Sequence, residues 1–139
     1  MDFNPIGLHM PHWTSLLTLL AVAVYFGAAL RVGMARGTYK IKAPATTGDP
    51  NFERVYRAHQ NMLEWMPIFL PSLWLFALTL SDRWAALVGL VWVAGRVLYL
   101  VTYAEAADRR GRGFAIQATA AGVLFLGALV GVGKALIAG

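Results

Sequence analysis

The chain has 139 residues, of which 58% are hydrophobic and only 14% charged, and its 12 Lys+Arg outnumber its 7 Asp+Glu for a formal charge of +5. A water-soluble domain of this size carries roughly a quarter of its residues as charges, and a nucleic-acid binder gathers Lys and Arg on a solvated face. Here the basic residues flank or interrupt long apolar runs, so neither class fits, and with no cysteine any thiol chemistry must use a thiol brought in by a substrate.

A helix that crosses the hydrocarbon core needs roughly 20 residues, and four stretches have that length. The first covers residues 13–30 and stays helix-compatible to Arg36. It is too long for a signal-peptide core and has no basic leader, which predicts a retained helix. Residues 37–51 hold the Pro, Thr, Gly and Asp of an ordered loop. A polar, helix-compatible segment from Phe52 then leads into a second span at 65–81, where Pro67 and Pro71 are tolerable inside a bundle and predict a bend. Ser81-Asp82-Arg83 reads as a tight turn in which Ser81 or Asp82 caps the next helix. The third span, 84–104, contains one charge, Arg96. A short basic loop at 108–113 precedes the fourth span at 113–133.

The expected fold is therefore all-α, a transmembrane four-helix bundle forming a single domain over 1–139. Lys40, Lys42, Arg54, Arg57, Arg109, Arg110 and Arg112 lie in or beside the first and third loops. The positive-inside rule assigns those loops to the cytoplasmic side and both termini to the other.

Helical periodicity then sorts the polar residues onto faces. Arg57, Asn61 and Glu64, at i, i+4 and i+7, fall on one narrow stripe at about 100° per residue. Arg96, Tyr99 and Tyr103, at i, i+3 and i+7, form a second stripe, which Arg110 joins at i+14 if the helix persists that far. Taken singly, these side chains read as interfacial Tyr and snorkelling Arg, or as an Arg96–Glu64 ion pair joining two helices. Together they supply more donors than a structural pair requires. A mid-span charge costs roughly 2.5–3.5 kcal/mol on insertion scales and usually faces a cavity or a partner. The two stripes favour a polar, anion-accepting pocket, with guanidinium groups for carboxylates, one carboxylate for an ammonium, and an amide and phenols for peptide groups. Such a pocket suits a small zwitterionic peptide. Arg109 and Arg112 read instead as headgroup contacts or topology determinants.

The run Phe52-Glu53-Arg54-Val55-Tyr56-Arg57-Ala58-His59-Gln60-Asn61-Met62-Leu63-Glu64 resembles the signature of the MAPEG family, membrane-associated proteins of eicosanoid and glutathione metabolism. The resemblance extends through Thr46-Thr47-Gly48-Asp49-Pro50, Pro67-Ile68-Phe69 and Leu73-Trp74, and resumes at Arg96, Tyr99, Tyr103-Ala104 and Arg110. It implies a homotrimer with glutathione, the co-substrate, bound between subunits. By position, Arg57, Asn61, Glu64, Tyr99 and Tyr103 would hold it, and Arg36 and Arg96 match further basic positions of the family site. Arg110 matches the arginine that the cysteinyl-leukotriene synthase branch uses to stabilise the thiolate. His59 lies roughly 160° from the Arg57 stripe; it is an interfacial His in one subunit, or a contributor to a neighbour's site in a trimer.

The implied activity is conjugation of glutathione to a hydrophobic electrophile drawn from the membrane lipid, with no metal required. A glutathione-dependent lipid hydroperoxide peroxidase or isomerase, and a non-catalytic lipid-binding scaffold, are the alternatives. Two positions depart from the synthase branch, Trp65 in place of Tyr and Gly37 in place of a second consecutive Arg, and both weaken any transfer of its particular lipid substrate.

Overall fold

The computed structural model describes residues 9–139, so the first eight residues of the expected 1–139 unit lie outside the described residues. Among the described residues four α-helices follow one another: α1 (His12–Tyr39), α2 (Pro50–Thr79), α3 (Asp82–Glu105) and α4 (Gly111–Ala138), with a 3-10 turn at Ala107–Arg110 ahead of α4. All four are long and apolar enough to cross a membrane. Leucines, valines and phenylalanines such as Leu19, Phe26, Leu78, Leu87 and Leu126 point outward from the bundle, as expected where lipid is the solvent.

The polar segment from Phe52 and the second apolar span are one continuous helix, which passes through both Pro67 and Pro71. Its start explains the Gly48-Asp49-Pro50 run. Gly48 takes φ +136°, in the region that favours glycine. The Asp49 carboxylate then accepts from the backbone N–H of Asn51 (2.8 Å) and Phe52 (3.4 Å), and Pro50 occupies the first helical position, where its missing N–H costs nothing.

α2 and α3 form the central pair: each packs on the other and on both α1 and α4, which lie on opposite sides of them. Phe69 of α2 stacks on Trp92 of α3 with ring centroids 3.8 Å apart. Helices in lipid gain little from apolar burial against one another and associate through close packing, often at small residues. The α3–α4 seam follows that rule: a Cβ on Gly95 would lie 2.7 Å from the Gln117 nitrogen, and one on Gly113 would lie 2.7 Å from the Tyr99 Cα. The two backbones touch there.

Alternation of direction brings both ends of the bundle into register. At one end, Ser81 caps α3 by accepting from Trp84 N–H (3.2 Å), as the turn chemistry predicted. Asp82 does something else: its carboxylate accepts from the Trp13 and Thr14 N–H groups at 3.1 and 2.8 Å, capping α1, which has no side-chain cap of its own. Removing this cap with Asp82→Ala should lower stability by about 1 kcal/mol, read as a fall in the thermal midpoint of detergent-purified protein. At the other end, Arg54 donates to the Ala104 carbonyl (3.3 Å) and Arg31 to the Leu100 carbonyl (3.1 Å). The first and third loops are thus neighbours.

Candidate functional site

At the end that carries those two loops, α2, α3 and the 3-10 turn enclose a polar cavity of about 120 Å³ lined by Arg57, Gln60, Asn61, Glu64, Tyr99, Tyr103 and Arg110. Both stripes therefore face one space. The two tyrosines form its buried wall, with ring centroids 5.4 Å apart, while Arg57, Glu64 and Arg110 stand at its exposed side. Arg110 lays its guanidinium 5.3 Å from the Tyr103 ring centroid, a cation–π contact that holds a long side chain over the opening.

Arg96 lies behind the cavity rather than in its lining. It is fully buried, donates from Nη1 to Asn61 Oδ1 at 2.8 Å, and sits 4.6 Å from the Tyr99 ring centroid. The bond fixes the Asn61 amide: its oxygen is taken by Arg96, which leaves its NH2 donors for the cavity. Among the described residues Arg96 makes no ion pair with Glu64; the one ion pair there joins Arg109 to Glu105 at the surface. With two arginines in the lining, a third behind it and a single carboxylate, the site has an excess of positive charge and suits an anionic or zwitterionic ligand.

Arg110 reaches the cavity by a route other than helical register. α3 stops at Glu105, Ala106 is extended (φ −157°, ψ 136°), and the 3-10 turn then carries Arg110 back toward Tyr103. The expected i+14 continuity is therefore corrected: chain direction changes at Ala106, ahead of the glycine at 111, which instead begins α4.

Two of the residues singled out in the sequence lie elsewhere. Arg36 donates from Nη1 to the carbonyls of Ala45 (2.7 Å) and Ile41 (3.4 Å) and covers the Phe52 ring at 5.1 Å, which ties the first loop to the helix before it. His59 stacks on Tyr25 of α1, ring centroids 5.0 Å apart, on the side of α2 away from the cavity. Trp65 packs edge-on against Phe114 of α4. Gln60 lines the cavity and was not singled out, although it follows Arg57 at i+3 and so borders the same stripe.

A separate apolar groove of about 410 Å³ runs between α1 and α3, lined by Leu16, Leu20, Leu87 and Leu90 with Trp13 and Arg83 at its end. On α3 the nearest lining residues of the two, Leu90 and Tyr99, are nine residues apart, or roughly 14 Å at 1.5 Å per residue, so this groove does not adjoin the polar cavity of the same chain.

Residues 14–130 match the sequence profile of the MAPEG family. An uncharacterised protein of Synechocystis sp. is 43% identical over 120 residues, covering 86% of this chain and 88% of that protein. The human microsomal glutathione S-transferase 2 is 46% identical over 103 residues, 74% of this chain and 68% of the relative. The bovine leukotriene C4 synthase is 40% identical over 94 residues, 68% and 63% of the two chains.

Proposed function

This chain belongs to the MAPEG family and is an integral, multi-pass membrane protein, and from that premise we propose that it is a glutathione transferase which joins the glutathione thiolate to hydrophobic electrophiles dissolved in the bilayer. The observation that carries the reading is the convergence of Arg57, Asn61, Glu64, Tyr99, Tyr103 and Arg110 on one cavity. Glu64 pairs with the ammonium of the γ-glutamyl end, Arg57 and the Asn61 NH2 group meet carboxylate and peptide oxygens, and the tyrosine hydroxyls bond the peptide backbone.

Arg110 has the chemical role. A free thiol has a pKa of about 8.5, so only a few per cent is thiolate at neutral pH. Making it mostly ionised there needs a shift of roughly two units, or about 2.7 kcal/mol. One charge-assisted hydrogen bond from a guanidinium supplies roughly 1.5–3 kcal/mol, so Arg110 is sufficient. The sulfur lone pair then forms the S–C bond while the leaving group, or the oxygen of an opened ring, takes the electron pair.

Ligand pockets are typically about 300–1,000 Å³, and the 120 Å³ cavity accommodates only part of a tripeptide. A second copy would complete it, which supports the homotrimer that the family resemblance implies. Arg36 and His59 face away from this chain's cavity, Arg36 held by the Ala45 and Ile41 carbonyls and His59 stacked on Tyr25 with both ring nitrogens buried, so either would reach a neighbour's site only by leaving those contacts. We further propose that the whole chain acts as one domain in a bacterial inner membrane, with the first and third loops cytoplasmic because the basic residues concentrate in them.

The test is product analysis. Detergent-purified protein is given glutathione with a panel of apolar electrophiles and lipid hydroperoxides, and products are weighed by mass spectrometry. Conjugates whose mass contains both reactants support the transferase. Oxidised glutathione with the lipid alcohol would replace it with a peroxidase, an isomerised lipid with an isomerase, and glutathione binding without turnover with a lipid-binding scaffold.

A further inference from the structure

Behind the candidate site lies a set of polar groups that the proposed chemistry does not use. Gln117 of α4 is fully buried, and neither its amide oxygen nor its amide nitrogen has a hydrogen-bond partner among the described residues. The same holds for Nε and Nη2 of Arg96 and for Nε1 of Trp92, both also fully buried. These groups share one layer. Trp92 and Arg96 are one helical turn apart on α3, and the Arg96 guanidinium lies 5.9 Å from the Trp92 ring centroid. The backbone of Gln117 abuts Gly95, the residue next to Arg96. On the facing helix, Phe69 closes the layer against Trp92.

Buried amides and guanidinium groups are nearly always satisfied by protein or by ordered water. Arg96 and Trp92 are donors only; the Asn61 oxygen is already taken by Arg96 Nη1, and Gln117 Oε1 is the unpartnered acceptor among these groups. We propose that Gln117 is a positioning residue for the glutathione site. Through bridging water its amide oxygen holds the Arg96 guanidinium, and Arg96 in turn holds Asn61 with its NH2 group toward the cavity. The chain of contacts is Gln117, water, Arg96 Nη2 or Nε, then Arg96 Nη1 to Asn61 Oδ1 at 2.8 Å. Water fits a polar site with several partners, whereas an apolar gap stays dry. Removing the acceptor frees Arg96 to turn, and Asn61 then presents either face of its amide to the ligand.

The proposal rests on glutathione binding at this cavity, and its test separates the two. Equilibrium binding of glutathione and steady-state kinetics are measured on the parent protein, Gln117→Met and Gln117→Glu. Met matches Gln in length and lacks the acceptor, while Glu keeps an oxygen that accepts from Arg96. For Gln117→Met, glutathione Kd and KM should rise about tenfold, the effect of one lost hydrogen bond, with the change in KM rather than kcat. Gln117→Glu should stay within about threefold of the parent on the same scale. In an Asn61→Ala background, Gln117→Met should add nothing, because both act through one contact. If the parent protein binds no glutathione, the functional reading itself fails. If the parent binds and Gln117→Met binds equally well, or if its effect adds fully to that of Asn61→Ala, the positioning role is overturned. Equal loss in the Met and Glu variants, accompanied by a lower thermal midpoint in both, would also overturn it and assign Gln117 to packing alone.

Discussion

Replacing Arg110 with Ala is expected to slow turnover about 10- to 150-fold, the rate equivalent of losing roughly 1.5–3 kcal/mol from a charge-assisted hydrogen bond to sulfur, while glutathione affinity changes little. In the proposed reading the two properties belong to different elements. Arg110 is carried by the 3-10 turn and rests on the outer side of the cavity over Tyr103, whereas the groups that would grip the peptide belong to α2 and α3. Stopped-flow measurement of thiolate absorbance on mixing with glutathione reports the ionisation directly. In the parent the signal should already be large at neutral pH. In Arg110→Ala the thiol reverts toward its free pKa of about 8.5, so both thiolate and rate should appear only as pH rises through that value. Lys at this position should recover part of the rate, since it keeps the charge but not the fixed fork of donors. A variant that conjugates a model electrophile at the parental rate would remove Arg110 from the mechanism.

The opposite signature is expected for Arg57→Ala: a 10- to 150-fold rise in glutathione KM, of order one charge-assisted bond, with kcat at saturation close to that of the parent. Arg57 stands at the exposed side of the cavity on the same stripe as Asn61 and Glu64, where in the proposed reading it would meet a carboxylate remote from the sulfur. Binding lost equally from substrate and transition state raises KM and leaves kcat alone. Should Arg57→Ala depress kcat as much as Arg110→Ala does, the division of labour between the two arginines is wrong, and the cavity acts as one undivided electrostatic field.

Most of this arrangement was legible in the sequence because membrane helices obey few rules. Span length, charge placement and the 3.6-residue period were enough to anticipate four helices and to put Arg57, Asn61, Glu64, Tyr99 and Tyr103 on facing stripes. What escaped was set by tertiary contact. Asp82 sits beside Ser81 at the start of α3, so local rules offer it as a cap for α3, and only the packing of α1 against α3 shows that it caps α1. Arg36 looks like any basic residue at a helix end until the first loop folds back to place the Ala45 carbonyl 2.7 Å from it. Gln117 lies in an apolar run of a helix with no polar stripe of its own, and its interest appears only once Arg96 is found behind the cavity. Gln60 is a different case, since its i+3 spacing from Arg57 places it on the edge of the same stripe without any tertiary contact.

The break at Ala106 divides the site between two mechanical parts. The tyrosines ride on α3, whereas Arg110 sits on the 3-10 turn between α3 and α4 and leans back onto α3 through its contact with Tyr103. Where α4 meets α3 at Gly95 and Gly113 the two backbones touch, and the Ile116 side chain of α4 packs against Gly95. That close fit fastens the head of α4 to the helix that carries the tyrosines, so any larger residue at position 95 or 113 would prise the two helices apart and shift the guanidinium relative to the aromatic wall.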